Sequence, residues 1–253
     1  MSQGAMLSVL KLTKQFGGVH AVEDVTFELS QGETLGIIGP NGSGKTTLVN
    51  LITGFVKPSS GRVTYRSHDI TYMKPYKRVN LGMVRTFQLV KPFYNLPAYK
   101  NLVIPFYSHR ARTQKGGGYG ERKDMSLDLL EEIGFERDSN VPYQMAKELS
   151  HGYLKRLELA RCLALNGELI FLDELFSGMS MAEVASVVPL LERIKDEGRT
   201  LVMIEHRVRE LFRIVDKVIV LSFGKKIAEG PPKEIVNVKE VQEAYMGKGD
   251  LGA

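Results

Sequence analysis

The sequence lacks the features of a secreted or membrane-spanning chain. Its single cysteine, Cys162, cannot form an internal disulfide, which suits a reducing compartment. No run approaches the ~20 continuous apolar residues that a membrane-spanning helix needs. Residues 1–5 carry neither a basic region nor a long apolar segment, so no secretory signal is recognisable. We therefore expect a cytoplasmic protein whose role at any membrane depends on a partner.

A long block of one charge sign is also absent. The 34 Lys and Arg and 29 Asp and Glu give a formal net charge of +5. Because the basic residues are spread along the chain, we interpret them as a solvated surface and expect no nucleic-acid partner. With 43% hydrophobic and 25% charged residues in a chain of 253, the composition is that of an ordinary globular protein. Such a chain can bury a full core as one domain with a sizeable insertion.

What the sequence does contain is a phosphate-binding loop. Residues 39–47 read GPNGSGKTT and fit the pattern G-x-x-x-x-G-K-[ST]. The apolar run 34–38 predicts a buried strand before the loop, and residues 48–52 predict a helix after it. Successive backbone N–H groups of such a loop converge on an anion, and the helix N-terminus adds further donors. The alternative, a glycine turn with a stray lysine, does not account for both flanking elements.

The loop predicts a site for ATP and Mg²⁺. Lys45 is expected to reach the β- and γ-phosphates, and the Thr46 hydroxyl to ligate Mg²⁺. We assign nucleotide contacts to every residue of the loop, namely Gly39, Pro40, Asn41, Gly42, Ser43, Gly44, Lys45, Thr46 and Thr47.

A second segment, LIFLDE at residues 169–174, is an apolar strand that ends in two acids. In a parallel sheet the carboxyl ends of the strands face the ligand crevice. Asp173 is therefore placed to hold Mg²⁺, directly or through water, and Glu174 to polarise an attacking water. The alternative is a pair of acids that begins a helix, and it weakens beside a phosphate loop.

Strand and helix signals alternate downstream of residue 166. They predict a mainly parallel sheet covered on both faces, with strands at 168–172, 200–204 and 218–221 and helices at 181–195 and 208–214. Residues 7–16 and 21–29 alternate polar and apolar side chains and predict an added antiparallel sheet.

Between about residues 91 and 165 the character of the chain changes. Prolines at 92, 97 and 105 punctuate segments with helical spacing, such as 125–133. We interpret this stretch as a helical subdomain inserted into a nucleotide-binding core of residues 1–90 and 166–253. The whole chain, 1–253, then forms a single α/β domain.

The segment LSHGY at residues 149–153 precedes a basic helix. A serine and a glycine at a helix N-terminus can form a second anion site, although alone the serine is no more than an N-cap. At this point the chain resembles ATP-binding-cassette (ABC) ATPase domains, whose signature Leu-Ser-Gly-Gly-Gln corresponds to these residues. The resemblance implies a P-loop NTPase fold with a parallel core sheet, an antiparallel β-subdomain and a helical subdomain. It also implies a head-to-tail dimer in which Ser150 and Gly152 complete the ATP pocket of a second cassette.

The resemblance gives roles to three further residues. Phe16 matches the aromatic residue that stacks on adenine, with a core phenylalanine at a strand end as the alternative. Gln88 matches the glutamine that senses Mg²⁺ and water and links to the transmembrane subunits. His206 matches the histidine that contacts the γ-phosphate. The implied machinery for ATP hydrolysis is a catalytic set, Glu174, His206 and Gln88, and a metal set, Thr46, Gln88 and Asp173.

Some positions depart from the family pattern. His151 and Tyr153 replace a glycine and the glutamine of the signature, and Leu175 replaces the proline that usually follows the catalytic glutamate. Ser180 stands where most members carry an aspartate that communicates across the dimer. These departures leave open an ATP-gated binding module that hydrolyses weakly. Because the catalytic and metal sets are complete, we expect hydrolysis.

Other segments are similar to one subfamily, the branched-chain amino acid importers. They are RTFQ at 85–88, LPAYKNL at 96–102 (with Lys100 in place of the usual glutamate), IEHR at 204–207 and AYMG at 244–247. The similarity implies an ATPase subunit on the inner face of the cell membrane. Its partners would be transmembrane permease subunits, an identical or different second cassette and, indirectly, a periplasmic or extracellular solute-binding protein. Urea-importer and lipopolysaccharide-export cassettes are related alternatives.

Overall fold

The computed structural model describes residues 5–114 and 119–245. Met246 and Gly247, at the end of the AYMG segment, lie outside the described residues. The strands are β1 Leu7–Phe16, β2 Val19–Leu29, β3 Thr34–Ile38, β4 Ser60–Tyr65, β5 His68–Asp69, β6 Met83–Arg85, β7 Leu169–Asp173, β8 Thr200–Ile204, β9 Lys217–Ser222 and β10 Lys225–Gly230.

The helices begin and end as follows: α1 Lys45–Thr53, α2 Pro75–Asn80, α3 Ala98–Phe106, α4 His109–Gln114, α5 Tyr119–Glu132, α6 His151–Ala164, α7 Met181–Asp196, α8 Val208–Ile214, α9 Pro232–Ile235 and α10 Lys239–Tyr245. Short 3-10 turns lie at Val141–Tyr143 and Ala146–Glu148. No helix among the described residues combines the length and apolarity needed to cross a bilayer.

The strands form two sheets. The larger has the order β10-β9-β3-β8-β7-β6, and its pairs are parallel except for β10, which runs antiparallel to β9 at one edge. The smaller is an antiparallel sheet with the order β2-β1-β4-β5. The predicted fold class, a mainly parallel core sheet with an added antiparallel sheet and a helical region, is confirmed.

Side chains of the central strands alternate between two cores. Every residue of β3, β7 and β8 is buried, as expected for a parallel sheet covered on both faces. Leu169 and Phe171 pack with α1 and the antiparallel sheet, whereas Ile170 and Leu172 pack with α6 and α7 on the opposite face. This period of two is the strand geometry itself, and it leaves α1 enclosed between the two sheets.

The parallel register brings four strand ends to one edge. Arg85 pairs with Phe171, and Asp173 and Ile37 both pair with Ile204. The loops that follow β3, β6, β7 and β8 therefore leave the sheet side by side. Every residue predicted for catalysis lies on one of these loops.

Sequence patterns missed several short helices. The stretches at α2, α9 and α10 have only four to seven residues each, too short for a helical period to stand out. Pro75 and Pro232 begin α2 and α9 at the first helical position, where a missing N–H costs nothing.

The short helix α2 carries a buried arginine that holds α1, the helix between the two sheets. Arg78 is 1% exposed, and burial lowers its pKa to about 10. The last carbonyls of a helix lack hydrogen-bond donors within the helix. At the end of α1, the guanidinium of Arg78 provides such donors. It donates to the carbonyl oxygens of Leu51, Ile52, Ile70, Thr71 and Met73.

We predict that Arg78→Met destabilises the fold by about 3 kcal/mol, because buried carbonyls lose a charged donor. The free energy of unfolding from urea denaturation measures this loss. Lys77→Met, at the exposed neighbouring position, is the matched control and should change stability by less than about 0.5 kcal/mol. Equal losses in the two variants would contradict a role for the guanidinium.

Candidate active site

The loop between β3 and α1 has the backbone that a phosphate cradle requires. Gly44 has φ of 102°, and a Cβ there would lie 2.3 Å from the carbonyl oxygen of Ala21. Gly39 has φ of 149°, and a Cβ there would lie 2.1 Å from the carbonyl oxygen of Leu221. The first turn of α1 contains no acidic residue. Its backbone donors and the positive end of the helix dipole are therefore left for an anion.

A cavity of about 460 Å³ lies over this loop. Lys45 is buried at its base, where its Nζ donates to the carbonyl oxygens of Gly39 at 2.8 Å and Pro40 at 2.9 Å. Thr46 is exposed to the cavity. The lining is formed by Val19, His20, Ala21, Asn41, Gly42, Ser43, Gly44, Lys45, Thr46, Thr47, Gln88, Glu174, His206 and Phe223.

The predicted catalytic residues converge on one carboxylate. Gln88 donates from Nε2 to Glu174 Oε2 at 2.8 Å, and His206 Nε2 lies 3.0 Å from Glu174 Oε1. Glu174 has φ of 50°, which is uncommon for a residue with a side chain. Its N–H donates to the carbonyl oxygen of Ile204 at 2.9 Å, so the neighbouring strand helps to fix this conformation. Residues from three separate loops thus surround one potential general base.

Asp173 fits a metal-binding role. It is 2% exposed, and its Oδ2 accepts from Arg85 at 2.6 Å. Its Oδ1 is buried and has no hydrogen-bond partner among the described residues. Within those residues no three His, Cys, Asp or Glu side chains converge. The Oδ1 oxygen fits a hard cation, and Asp173 would hold Mg²⁺ together with Thr46 and Gln88.

Five predicted nucleotide contacts do not line the cavity: Phe16, Gly39, Pro40, Ser150 and Gly152. Phe16 pairs with Val19, which does line it. Its ring is 51% exposed, which rules out the alternative of a core phenylalanine. Ser150 is exposed and caps α6, since its Oγ accepts from the N–H of Tyr153 at 3.4 Å. The roles of these residues toward a nucleotide stay predictions.

The signature segment packs against the turn that follows β7. A Cβ on Gly152 would lie 2.1 Å from Glu183 Oε1 on α7, so a larger residue there would have to displace that carboxylate. A Cβ on Gly178 would likewise lie 2.7 Å from the ring of His151. Ser180, at the position of the family's aspartate, begins α7. Its Oγ accepts from the N–H of Glu183 at 3.2 Å, and Glu183 Oε2 accepts from the N–H of Ser180 at 2.8 Å.

Sequence reasoning missed three buried charged residues at the site. Arg85 pairs with Asp173. Glu205 is buried, accepts from the N–H of Phe176 at 2.9 Å, and has its pKa raised to about 8 by burial. Lys155 on α6 donates to backbone carbonyls on two sides of the site. Arg85 and Glu205 lie within the RTFQ and IEHR segments, which was the available signal, although no role was assigned to them. Lys155 had no such signal in a helix rich in charged residues.

Two protein-family models match the chain. The family model described as ABC transporter matches residues 22–177, more than half of the chain. The model described as branched-chain amino acid ATP-binding cassette transporter matches residues 225–250.

Characterised relatives match over nearly the full length. The high-affinity branched-chain amino acid transport ATP-binding protein LivG of Salmonella typhimurium is 33% identical over 98% of this chain and 100% of LivG. The lipopolysaccharide export system ATP-binding protein LptB of Escherichia coli is 32% identical over 96% of this chain and 98% of LptB. The solved structure of the ADP conformation of MJ1267, an ATP-binding cassette of an ABC transporter, has a TM-score of 0.84 and 32% identity. It covers 97% of this chain and 100% of that one.

We predict that Ser180→Ala lowers stability by about 1 kcal/mol, because α7 loses its N-cap acceptor. Ser180→Asp keeps an acceptor at the same position and should stay within about 0.5 kcal/mol of the wild type. Thermal and urea unfolding of the two variants measure the difference. A Ser180→Ala protein as stable as Ser180→Asp would show that the cap contributes nothing.

Proposed function

This chain belongs to the ABC transporter ATPases of the branched-chain amino acid type, and we propose that it hydrolyses ATP to power an importer for branched-chain or related amino acids. The observation that carries the proposal is the convergence of Gln88 and His206 on Glu174 beside the phosphate loop. Similarity to LivG over nearly the whole chain supports the substrate class.

The chain's own residues divide the work of hydrolysis. Backbone donors of the loop and Lys45 bind the phosphates. Glu174 orients the attacking water and takes its proton, which requires a carboxylate within hydrogen-bond reach of that water. His206, whose imidazole lies beside Glu174, donates a hydrogen bond to the γ-phosphate. Mg²⁺, held by Thr46, Asp173 and Gln88, would neutralise charge on the phosphate oxygens.

A second cassette, identical or different, completes the site. Ser150 is exposed at the N-terminus of α6 and lies outside the lining of its own chain's cavity. Its hydroxyl and the adjacent helix N-terminus are therefore available to phosphate bound by another cassette. ATP then favours the closed dimer because it contacts both cassettes only in that state.

Permease subunits bind a second cavity, of about 470 Å³, whose lining includes Phe87 and Lys91 on either side of Gln88 in the sequence. Phe55, Tyr76 and Phe87 expose large apolar surface at this cavity. Its wall holds Glu158, whose Oε2 is buried without a hydrogen-bond partner among the described residues. Burial raises the pKa of Glu158 to about 7. A membrane-subunit segment that inserts apolar side chains and one donor matches this surface, and its binding would hold the chain at the inner face of the membrane.

A lipopolysaccharide-export role is the second candidate, since LptB is almost as similar as LivG. The two differ in the solute whose transport stimulates hydrolysis. Stimulation by branched-chain amino acids and their binding protein in the assembled transporter supports import, and stimulation by lipopolysaccharide alone supports export.

We predict that Glu174→Gln abolishes steady-state hydrolysis while ATP binding and dimerisation persist, because the amide cannot accept the proton of the water. Phosphate release, nucleotide affinity and sedimentation of the purified chain measure the three properties. Glu192→Gln, an exposed acid on α7, is the control and should keep full activity. Hydrolysis that survives in Glu174→Gln would remove the proposed base.

We predict that Tyr76→Glu weakens assembly with the permease subunits at least tenfold, since a charge enters an apolar surface that the partner would bury. The isolated cassette should keep its basal hydrolysis. Tyr72→Glu, at a comparably exposed tyrosine outside the cavity, is the matched control. Equal binding of both variants to the permease in detergent would place the docking surface elsewhere.

A further inference from the structure

A buried lysine on α6 reaches both sides of the hydrolytic site. Lys155 follows Ser150 by five residues on the same helix and is 2% exposed. Its Nζ donates to the carbonyl oxygens of Gln88 and Glu174, each at 3.0 Å. These are the two residues whose side chains meet at 2.8 Å in the cavity. One ammonium therefore holds the backbone of the potential base and of the glutamine that contacts it.

Burial at this position costs free energy for a lysine side chain. Burying an ammonium group is unfavourable unless it gains hydrogen bonds or charge partners. Burial lowers the pKa of Lys155, while the nearby carboxyl groups of Glu158 and Glu205 raise it. Its hydrogen bonds nevertheless go to two backbone carbonyls. A purely structural ion pair would instead place the ammonium against one of those carboxylates.

The contact to Glu174 acts on an uncommon backbone conformation. Glu174 has φ of 50°, which costs about 1 to 2 kcal/mol for a residue with a side chain. Its N–H donates to Ile204, and its carbonyl accepts from Lys155 Nζ at 3.0 Å and from the N–H of Ser177 at 3.2 Å, so both of its peptide groups are anchored. Rotation of either peptide would swing the carboxylate away from Gln88 and His206. Lys155 thus supplies one of three hydrogen bonds that hold the backbone of Glu174, and the only one of the three that comes from a side chain.

We infer that Lys155 is a positioning residue that links the signature helix to the hydrolytic carboxylate of its own chain. The inference rests on the proposed roles of Glu174 and Ser150. When phosphate of a second cassette draws Ser150, α6 moves as a rigid helix and Lys155 moves with it. The backbone of Glu174 and Gln88 then responds to the state of the other site. This link provides communication within the chain. The residue at the position of the family's communicating aspartate, Ser180, instead caps α7.

Lys155→Met and Lys155→Arg test the inference in the full chain. Methionine keeps the length and burial but donates nothing, so kcat should fall about 10²-fold, the effect of a misplaced catalytic group. KM and ATP affinity should stay within about twofold, because Lys155 does not contact the phosphate loop. Arginine can still donate to two carbonyls, and it should recover most of the lost kcat.

Leu157→Ala, at a fully buried position on the same helix, controls for loss of packing. The inference is overturned if Lys155→Met lowers kcat no more than a Leu157→Ala protein of similar stability. It is also overturned if Lys155→Arg is as inactive as Lys155→Met. Parallel assays of Glu174→Gln separate the causes. If Glu174→Gln is inactive and Lys155→Met is active, only the proposed link through Lys155 is wrong. If Glu174→Gln is active, both the proposed base and the link are wrong.

Discussion

The parallel register of β3, β6, β7 and β8 is the constraint on which the rest of the structure depends. Because strands that run in one direction end at one edge, residues more than a hundred positions apart in sequence become neighbours there. Asp173 and Ile37 share the partner Ile204, and this pairing fixes the spacing between the phosphate loop and the acids. The two cores on opposite faces hold the register, since a slip by one residue would exchange their side chains. Precision at the site is therefore a property of the sheet.

The backbone is strained at Glu174, where β7 ends and the proposed catalytic carboxylate begins. The positive φ of Glu174 is maintained because the backbone on both sides is hydrogen-bonded to buried groups. Non-glycine residues persist in this region when the surroundings over-determine them, and such positions cluster at functional sites. The carboxylate is consequently oriented by contacts within the protein itself. Preorganisation of this kind removes reorganisation from the reaction step.

The sequence predicted the elements with strong patterns and the residues next to them. The bounds of β1, β3, β8 and α8 were predicted to the residue, because alternation, apolar runs and turn residues mark them directly. Glu174, Gln88 and His206 were found through the strand ends and the family resemblance, and the geometry brings them together. Lys155 and Arg78 were not found, since their partners are backbone carbonyls, which every residue carries. A pattern of side chains contains no trace of such contacts, and only the packed fold shows which charges are buried.

The residues that depart from the family signature, His151 and Tyr153, contact other parts of their own chain. The ring of Tyr153 lies 4.8 Å from that of Phe135, so an aromatic contact stands where the family has a polar glutamine. His151 packs on Gly178, and Glu183 occupies the space beside Gly152. Each contact attaches the start of α6 to the helical region, to the turn after β7 or to α7. A segment anchored in this way transmits displacement through its own chain, because a rigid helix moves all its contacts together. The substituted residues thus favour coupling that runs along α6 over coupling through a side chain of the second cassette.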